Sequence, residues 1–490
     1  MKPLILGIDQ GTTGTRAILF DKSGRVVGHG YREIKQYFPK PGWVEHDPEE
    51  IWGSVLRVVA EALRKASASG NSIAAIGITN QRETAILWDR KTGRPLHKAI
   101  VWQDRRTADL CLRLKPHEPF VRRVTGLVLD PYFSGTKISW LLKHSPSIAS
   151  AAKKGRVAFG TVDCWLLWRL SGGRVHATDV TNASRTLLYD LAAQRWSGPM
   201  IKMLNIPSSV LPDIYPSNHR FAATAAVGPL PSGIPVQGIA GDQQAALFGQ
   251  GCVEPGSAKN TYGTGCFLLV QTGSKLIHSK HGLITTAACD ERGMPSYALE
   301  GSVFIAGAVI QWLRDGLGII RSASETEALA RSVSDSAGIY FVPAFVGLGA
   351  PYWKPDARGL VCGLTRGTGR AHIVRAALES IAYQSQEVLD AMQKDSGITM
   401  TSLRVDGGVV RNNLLMQFQS DLSGVPVIRP KMIETTALGA AQLAGLGIGF
   451  WSQKDLRKMR GIDRAFQPSW DRRRRAVALS GWMEAVKRTL

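Results

Sequence analysis

The sequence predicts an α/β protein of two similarly built domains, and three observations carry that prediction. In the first half, short apolar strands alternate with helical stretches, the pattern of mixed sheets covered by helices. A hydroxyl- and glycine-rich strand-turn-strand unit at residues 6–21 is echoed at 258–270, where Thr261-Tyr262-Gly263-Thr264-Gly265 repeats the same Gly/Thr chemistry. At 490 residues the chain is longer than one hydrophobic core usually serves, so two domains of comparable size are expected.

The elements follow in order. In the first unit, Leu6-Gly7-Ile8-Asp9-Gln10-Gly11-Thr12-Thr13-Gly14-Thr15-Arg16, the glycines let backbone N–H groups close around an anion and the threonines add hydroxyl donors. Asp9 stands at a strand end, where a carboxylate can meet a metal-bound phosphate. No Gly-Lys-Ser/Thr follows, so this is not a Walker A loop, and an ordinary tight turn between buried strands uses the same residues. Residues 49–66 have helical periodicity, 73–79 read as a strand and 85–88 as extended. A helix is expected after Asp242, and Gly and Pro interrupt it at 250–256, which places the seam there: residues 1–250 form one domain and 251–490 the other. A third polar turn, Val405-Asp406-Gly407-Gly408-Val409-Val410-Arg411-Asn412-Asn413, leads from a strand into a helix. Three such turns read as separate walls of one nucleotide site in the cleft between the domains.

Composition narrows the class. Six cysteines, Cys111, Cys164, Cys252, Cys266, Cys289 and Cys362, lie far apart with no C-x-x-C pair. They suggest neither a disulfide framework nor a zinc site, and a reducing cytoplasm is expected. The apolar run at Leu4-Ile5-Leu6 reaches Asp9 at once, too short for an export signal. Residues 435–453 carry no charge and approach the length of a membrane span. Their Gln442 and glycines Gly439, Gly445, Gly447 and Gly449 point instead to a helix buried in a large core. The formal charge is +21, and Arg472-Arg473-Arg474-Arg475 stands in what reads as a terminal helix without interleaved aromatics. A solvated charged face fits that run better than a nucleic-acid site, and the positive field suits an anionic nucleotide.

Two long segments, Tyr132-Phe133-Ser134-Gly135-Thr136-Lys137-Ile138-Ser139-Trp140-Leu141 and residues 359–379, are similar to the signatures of the FGGY carbohydrate kinase family, and the resemblance covers nearly the whole chain. Pro41-Gly42-Trp43-Val44-Glu45-His46-Asp47, Thr79-Asn80-Gln81-Arg82-Glu83-Thr84, Val101-Trp102-Gln103-Asp104-Arg105-Arg106 and residues 241–249 resemble its glycerol-specific branch. The resemblance implies two actin-like (ribonuclease H-like) ATPase domains around a deep cleft. It also implies transfer of the ATP γ-phosphoryl group to a terminal hydroxyl of glycerol, with Mg²⁺. The first domain would then take polyol and phosphate, and the second the adenine nucleotide. The expected partners are glycerol and ATP, with no membrane, no nucleic acid, and a homo-oligomer, dimer or tetramer.

Residue by residue, the resemblance places Arg82, Glu83, Tyr132, Asp242 and Gln243 on the polyol, with Trp102 and Phe267 as an aromatic wall against its carbons. Such a small triol demands both donors and acceptors at close quarters. Asp242 is the expected general base, acting chiefly by aiming the hydroxyl, since the transition state of phosphoryl transfer is loose and the proton moves late. Alone, Arg82-Glu83 would read as a surface ion pair and Asp242 as a helix cap. Mg²⁺ is assigned to Asp9 with Asp242, since one or two carboxylates plus phosphate oxygens satisfy it. Thr12, Thr13, Gly14 and Arg16 would meet phosphates from the first turn and Thr264 from the second. Gly307, Gln311, Gly408 and Asn412 would line the nucleotide pocket. One departure matters: residues 228–235 carry neither the family's arginine-bearing sugar-bisphosphate loop nor its phosphorylated histidine, so neither control is expected. A pentulose or tetritol kinase of the same family, and a non-catalytic binder that keeps the fold, are the rival readings.

Overall fold

Two open mixed sheets, each beginning with an antiparallel hairpin that parallel strands extend and an antiparallel edge strand completes, form the body of the computed structural model, which describes residues 2–354 and 356–490. The first contains β1 (Leu4–Gln10), β2 (Gly14–Phe20), β3 (Val26–Glu33), β4 (Ile73–Asn80), β5 (Asn218–Ala223) and β6 (Pro235–Gly241), in the spatial order β5-β6-β4-β1-β2-β3. β1, β2 and β3 form an antiparallel meander, while β4 runs parallel to both β1 and β6. Two of its flanking helices are α1 (Pro48–Lys65), capped by Asp47, and α2 (Asp242–Gly249), which leaves the end of β6 directly.

The second sheet repeats the plan. It contains β7 (Ala258–Tyr262), β8 (Cys266–Gly273), β9 (Ile284–Cys289), β10 (Pro295–Val303), β11 (Leu403–Asp406), β12 (Val427–Pro430) and β13 (Ile462–Phe466), in the order β9-β10-β8-β7-β11-β12-β13. The β7-β8 hairpin is antiparallel and β11 joins β7 in parallel, as β4 joins β1 in the first sheet. Its helices include α3 (Gly307–Asp315), α4 (Arg370–Ser396), α5 (Asn413–Ser423) and, after the intervening helix α6 (Thr435–Gly447), α7 (Arg472–Lys487).

The helix α6 crosses the seam. It starts in the second half of the chain but packs on the first sheet, sharing a core in which Ile5, Phe20, Ala240 and Phe248 meet Leu438, Ala441 and Ala444. Sequence explains how it fits. Gly7, Gly77 and Gly238 stand abreast on β1, β4 and β6. A Cβ at these positions would come 2.6 Å from Ala437 O, 2.0 Å from Ala440 O and 2.8 Å from Ala444 N. Three bare strand positions therefore form a trough, and the alanine-rich helix lies in it with nearly every face buried. A linear division at residue 250 leaves this helix on the far side of the seam from the sheet it covers. The uncharged stretch at 435–453 is thus core, and among the described residues no helix is long and apolar enough to cross a membrane.

The arginine run opens α7. Asp471 caps the helix by accepting the Arg474 N–H at 2.7 Å. Arg472, Arg473 and Arg474 are exposed, while Arg475 donates to Leu422 O and Ser423 O, both at 2.9 Å, and so satisfies carbonyls at the end of α5. Three of the four arginines therefore face solvent, and the fourth holds two helices together.

Candidate active site

The loop after β4 carries the first site residues. Gln81 N donates to Gln10 O at 2.7 Å, which ties the loop to the end of β1, where Asp9 stands. Glu83 has φ +63, a left-handed conformation rare for a residue with a side chain, and Ser134 Oγ donates to its carbonyl at 2.9 Å. A backbone held there against its preference is a mark of sites where side-chain direction matters.

Arg82 and Glu83 are buried within an ionic cluster rather than paired at a surface. Arg82 Nη1 lies 2.6 Å from Glu300 Oε2, Nη2 lies 2.8 Å from Glu300 Oε1, and Nε lies 3.1 Å from Asp242 Oδ1. Arg185 Nε donates to Glu83 Oε1 at 2.5 Å, and its guanidinium stands over the rings of Tyr132 and Phe133 at 5.6 and 5.3 Å. Burial raises the Glu83 carboxyl while Arg185 and Arg82 oppose the rise. Burial and the Glu83 charge keep the Tyr132 hydroxyl protonated far above its usual range. Breaking such a buried cluster by removing one charge costs about 3–5 kcal/mol.

Within the cluster, polar atoms are unspent on Asp242, Glu83, Gln243 and Tyr132, and the buried Nη1 and Nη2 of Arg185 make no hydrogen bond either. Asp242 receives Arg82 and the Gln243 N–H on Oδ1, the latter at 2.7 Å. Lys259 Nζ donates to Gln243 Oε1 and, at 2.8 Å, to Thr261 Oγ1; burial lowers its ammonium to about 8. Among the described residues nothing bonds Asp242 Oδ2, Glu83 Oε2, Gln243 Nε2 or the Tyr132 hydroxyl. Two acceptors, an amide donor and a hydroxyl that can do either are the complement of a small polyol. Beside them Trp102 meets Tyr132 at 5.4 Å and Phe267 at 6.4 Å, both edge to face, forming an apolar wall.

The first glycine turn adjoins that wall. Trp102 Nε1 donates to Thr12 Oγ1 at 2.8 Å, so the aromatic wall and the anion-suited turn are one hydrogen bond apart. Gly11 N bonds Gly14 O at 2.9 Å to close the turn, and a Cβ at Gly14 would strike the Tyr31 hydroxyl at 2.7 Å. Thr13 is exposed at the tip, and Arg16 is paired with Glu434 at the start of α6. Burial raises the Asp9 carboxyl to about 7; Arg16 opposes this, and the charges of Asp242 and Glu434 add to it. The Asp242 charge thus adds to what burial already does to Asp9, and a divalent cation would favour the ionised carboxylate. Among the described residues no group of three or more His, Cys, Asp or Glu could hold a metal by itself.

The other two turns meet on the opposite side. Gly307 N bonds Gly263 O at 2.9 Å and Ala308 N bonds Thr264 O at 3.1 Å, so the start of α3 braces the second turn. Gly407 has φ +91, and a Cβ there would lie 2.3 Å from Tyr262 O, which joins the third turn to the second hairpin. Gly408 differs: its Cβ would meet nothing within 4 Å. Gln311 lies exposed one turn along α3. Asn412 is partly committed, since its Oδ1 caps α5 by accepting Leu415 N at 3.0 Å and its Nδ2 donates to Thr326 at 3.3 Å. One amide hydrogen remains for a ligand.

Of the residues expected from the sequence, Arg82 meets Asp242 and Trp102 meets Thr12, Tyr132 and Phe267, while Gly307 braces the second turn; three charged neighbours of this cluster lie outside the expectation. Arg185, Lys259 and Glu300 stand alone in chemically ordinary stretches; the only signal is a charge inside an apolar strand, as in Tyr297-Ala298-Leu299-Glu300-Gly301.

Comparison with known proteins identifies the family. Models of the N-terminal and C-terminal domains of the FGGY family of carbohydrate kinases match residues 4–249 and 258–448. The glycerol kinase of Shewanella amazonensis is 56% identical over 100% of this chain and 99% of its own, and that of a Geobacillus species is 54% identical over 99% of each. The crystal structure of Plasmodium falciparum glycerol kinase with ADP superimposes with a TM-score of 0.94 at 39% identity, covering 100% of this chain and 98% of that one. A xylulose kinase from Rhodospirillum rubrum shares the fold, with a TM-score of 0.86 at 24% identity over 99% and 98% of the two chains. The chain belongs to the FGGY family of carbohydrate kinases.

Proposed function

We propose that the enzyme phosphorylates glycerol at a terminal hydroxyl with ATP, giving glycerol 3-phosphate and ADP. One observation carries the reading: the unspent oxygens of Glu83 and Asp242, with the Gln243 amide and Tyr132 hydroxyl, border an aromatic wall bonded directly to the Thr12 turn. The full-length relatives named as glycerol kinases, at 54–56% identity, favour glycerol over a pentulose or tetritol.

In this mechanism Arg82, Glu83, Tyr132 and Gln243 hold the polyol, with its carbons against Trp102 and Phe267. Asp242 Oδ2 accepts a hydrogen bond from the terminal hydroxyl and aims its oxygen at the γ-phosphorus. The O–P bond forms as the bond from phosphorus to the β,γ-bridging oxygen breaks in line. ADP departs, and the hydroxyl proton passes late to Asp242. Thr12, Thr13, Gly14 and Arg16 orient phosphate oxygens from the first domain, residues 1–250. Thr264, Gly307, Gln311, Gly408 and Asn412 hold the nucleotide from the second, residues 251–490. Arg16 must exchange Glu434 for phosphate to do so. Asp9, with Asp242, would hold Mg²⁺, which supplies charge neutralisation at the phosphates. The Asp242 charge felt at the buried Asp9 carboxyl supports that assignment.

The cysteines are all unpaired, which supports a reducing cytoplasmic setting. The assembly we propose is a dimer or tetramer of this chain, which light scattering reads directly. A coupled assay for ADP release with ATP, Mg²⁺ and glycerol, xylulose or erythritol tests the reading. Glycerol should give the highest kcat/KM by a wide margin, because a site bonded to each hydroxyl discriminates steeply. Preference for xylulose or erythritol, or salt-sensitive DNA binding without phosphorylation, would overturn it.

A further inference from the structure

We infer that Glu300, on β10 of the second sheet, is a positioning residue for phosphoryl transfer, acting through Arg82 to keep one oxygen of Asp242 open. The inference rests on the glycerol-phosphorylating reading of the site and assigns a role to a residue outside the polyol and nucleotide contacts.

The geometry of the Arg82 fork carries the argument. Glu300 takes the guanidinium end-on, with Oε2 at 2.6 Å from Nη1 and Oε1 at 2.8 Å from Nη2. Gln244 Oε1 accepts a second hydrogen from Nη1 at 3.2 Å. With both terminal nitrogens turned toward β10, only Nε faces Asp242, and it reaches the same Oδ1 that already accepts the Gln243 N–H. Oδ2 is left for the substrate hydroxyl. A guanidinium prefers to grip a carboxylate with two parallel N–H bonds. Without the Glu300 charge, only the longer bond to Gln244 opposes a rotation of Arg82 that offers Asp242 its Nε–Nη edge. That grip would occupy both Asp242 oxygens and withdraw the acceptor from the reaction.

Glu300 acts on the second arginine as well. Arg185 Nη2 lies 3.2 Å from Glu300 Oε1, while its Nε holds Glu83 Oε1 at 2.5 Å. One carboxylate from the second half of the chain therefore orients two arginines of the first, and through them both polyol-facing carboxylates. Burial works against its charge, but Arg185 and Arg82 outweigh burial and hold the carboxyl down at about 2. The clamp also spans the seam, so the polyol site is complete only when the two lobes are in register. Precise aim is worth this construction, since a misplacement of about 1 Å costs about a hundredfold in rate.

Glu300→Gln and Glu300→Asp in the full-length enzyme test the inference, with steady-state kinetics for glycerol and ATP and calorimetric titration of ADP. Glu300→Gln should lower kcat by about a hundredfold and raise the glycerol KM, with the ADP dissociation constant within about twofold of the parent. Glu300→Asp, which keeps the charge, should restore part of kcat. Kinetics of Glu300→Gln within about threefold of the parent would overturn the inference. So would ADP and glycerol affinities that fall together, the mark of a residue that only holds the lobes. Should Glu300→Gln not fold, Glu300→Asp decides, because its shorter arm cannot span the fork: lowered kcat with intact ADP binding supports the role, and parental kinetics refutes it. A parent enzyme that does not phosphorylate glycerol sinks the reading of the site, whereas an active parent matched by its variants sinks this inference alone.

Discussion

On the proposed polyol side, Arg82, Glu83, Arg185 and Glu300 are charged, at most 2% exposed, and joined in ion pairs. On the proposed nucleotide side, Thr13, Thr264, Gln311 and Gly408 are all exposed, and three of the four stand in backbone turns. The contrast follows from what each side must recognise. A three-carbon alcohol offers little charge or area, so selectivity requires side chains fixed in place before it arrives, with a few polar atoms left open. A triphosphate carries its own charge, and N–H groups from glycine turns suffice to cradle it. One side stores order in an ionic cluster; the other leaves room.

The comparison predicts different failures on the two sides. The largest effect belongs to Asp242→Asn, which should lose about two to four orders of magnitude in kcat with nucleotide binding retained; near-parental turnover would remove Asp242 from its role. Arg82→Ala should raise the glycerol KM by at least about tenfold and the ATP KM far less, because it breaks the ordered side alone. The opposite split would mean that the two ligands have been assigned to the wrong walls. On the open side, Gly408→Ala should raise the ATP KM by about tenfold, the effect of roughly 1–2 kcal/mol of overpacking against a ligand. Its Tm should not change, since a Cβ there meets no protein atom within 4 Å. A lower Tm with unchanged ATP KM would show that this glycine serves the fold.

The smallest effect lies away from both walls and separates site charge from burial in general. Glu387 on α4 accepts the Tyr352 hydroxyl at 2.5 Å, and burial raises its carboxyl to about 7, with the Tyr352 hydrogen bond opposing the rise. An acid whose pKa is higher folded than unfolded binds its proton more tightly in the native state. Stability is therefore full below the unfolded value of 4.5 and declines as pH rises from there through about 7. Glu387→Gln should remove about 1–3 kcal/mol of that decline in pH-dependent denaturant melts, with kcat unchanged. An unaltered pH profile would contradict the assignment.

Much of the fold was legible in the sequence because the glycine turns are written locally. Each turn is a run of neighbours, such as Thr261-Tyr262-Gly263-Thr264-Gly265, so spacing alone exposes it. The helices at 48–65 and 242–249 and the hairpin at 258–273 likewise follow from short-range pattern. The ordered side is written at long range. Arg82 and Glu300 are 218 positions apart, and a single glutamate in an apolar strand announces no partner. The path of α6 was hidden for the same reason: its lack of charge marks it as buried, but only the glycines of three distant strands show which sheet buries it.

The most direct test is a crystal structure with glycerol and a non-hydrolysable ATP analogue bound together. The account predicts a terminal glycerol oxygen within hydrogen-bond distance of Asp242 Oδ2, in line with the γ-phosphorus and its bridging oxygen, with the carbons against Trp102 and Phe267. Glycerol bound away from Asp242, or a γ-phosphate held where no glycerol oxygen can reach it, would contradict it.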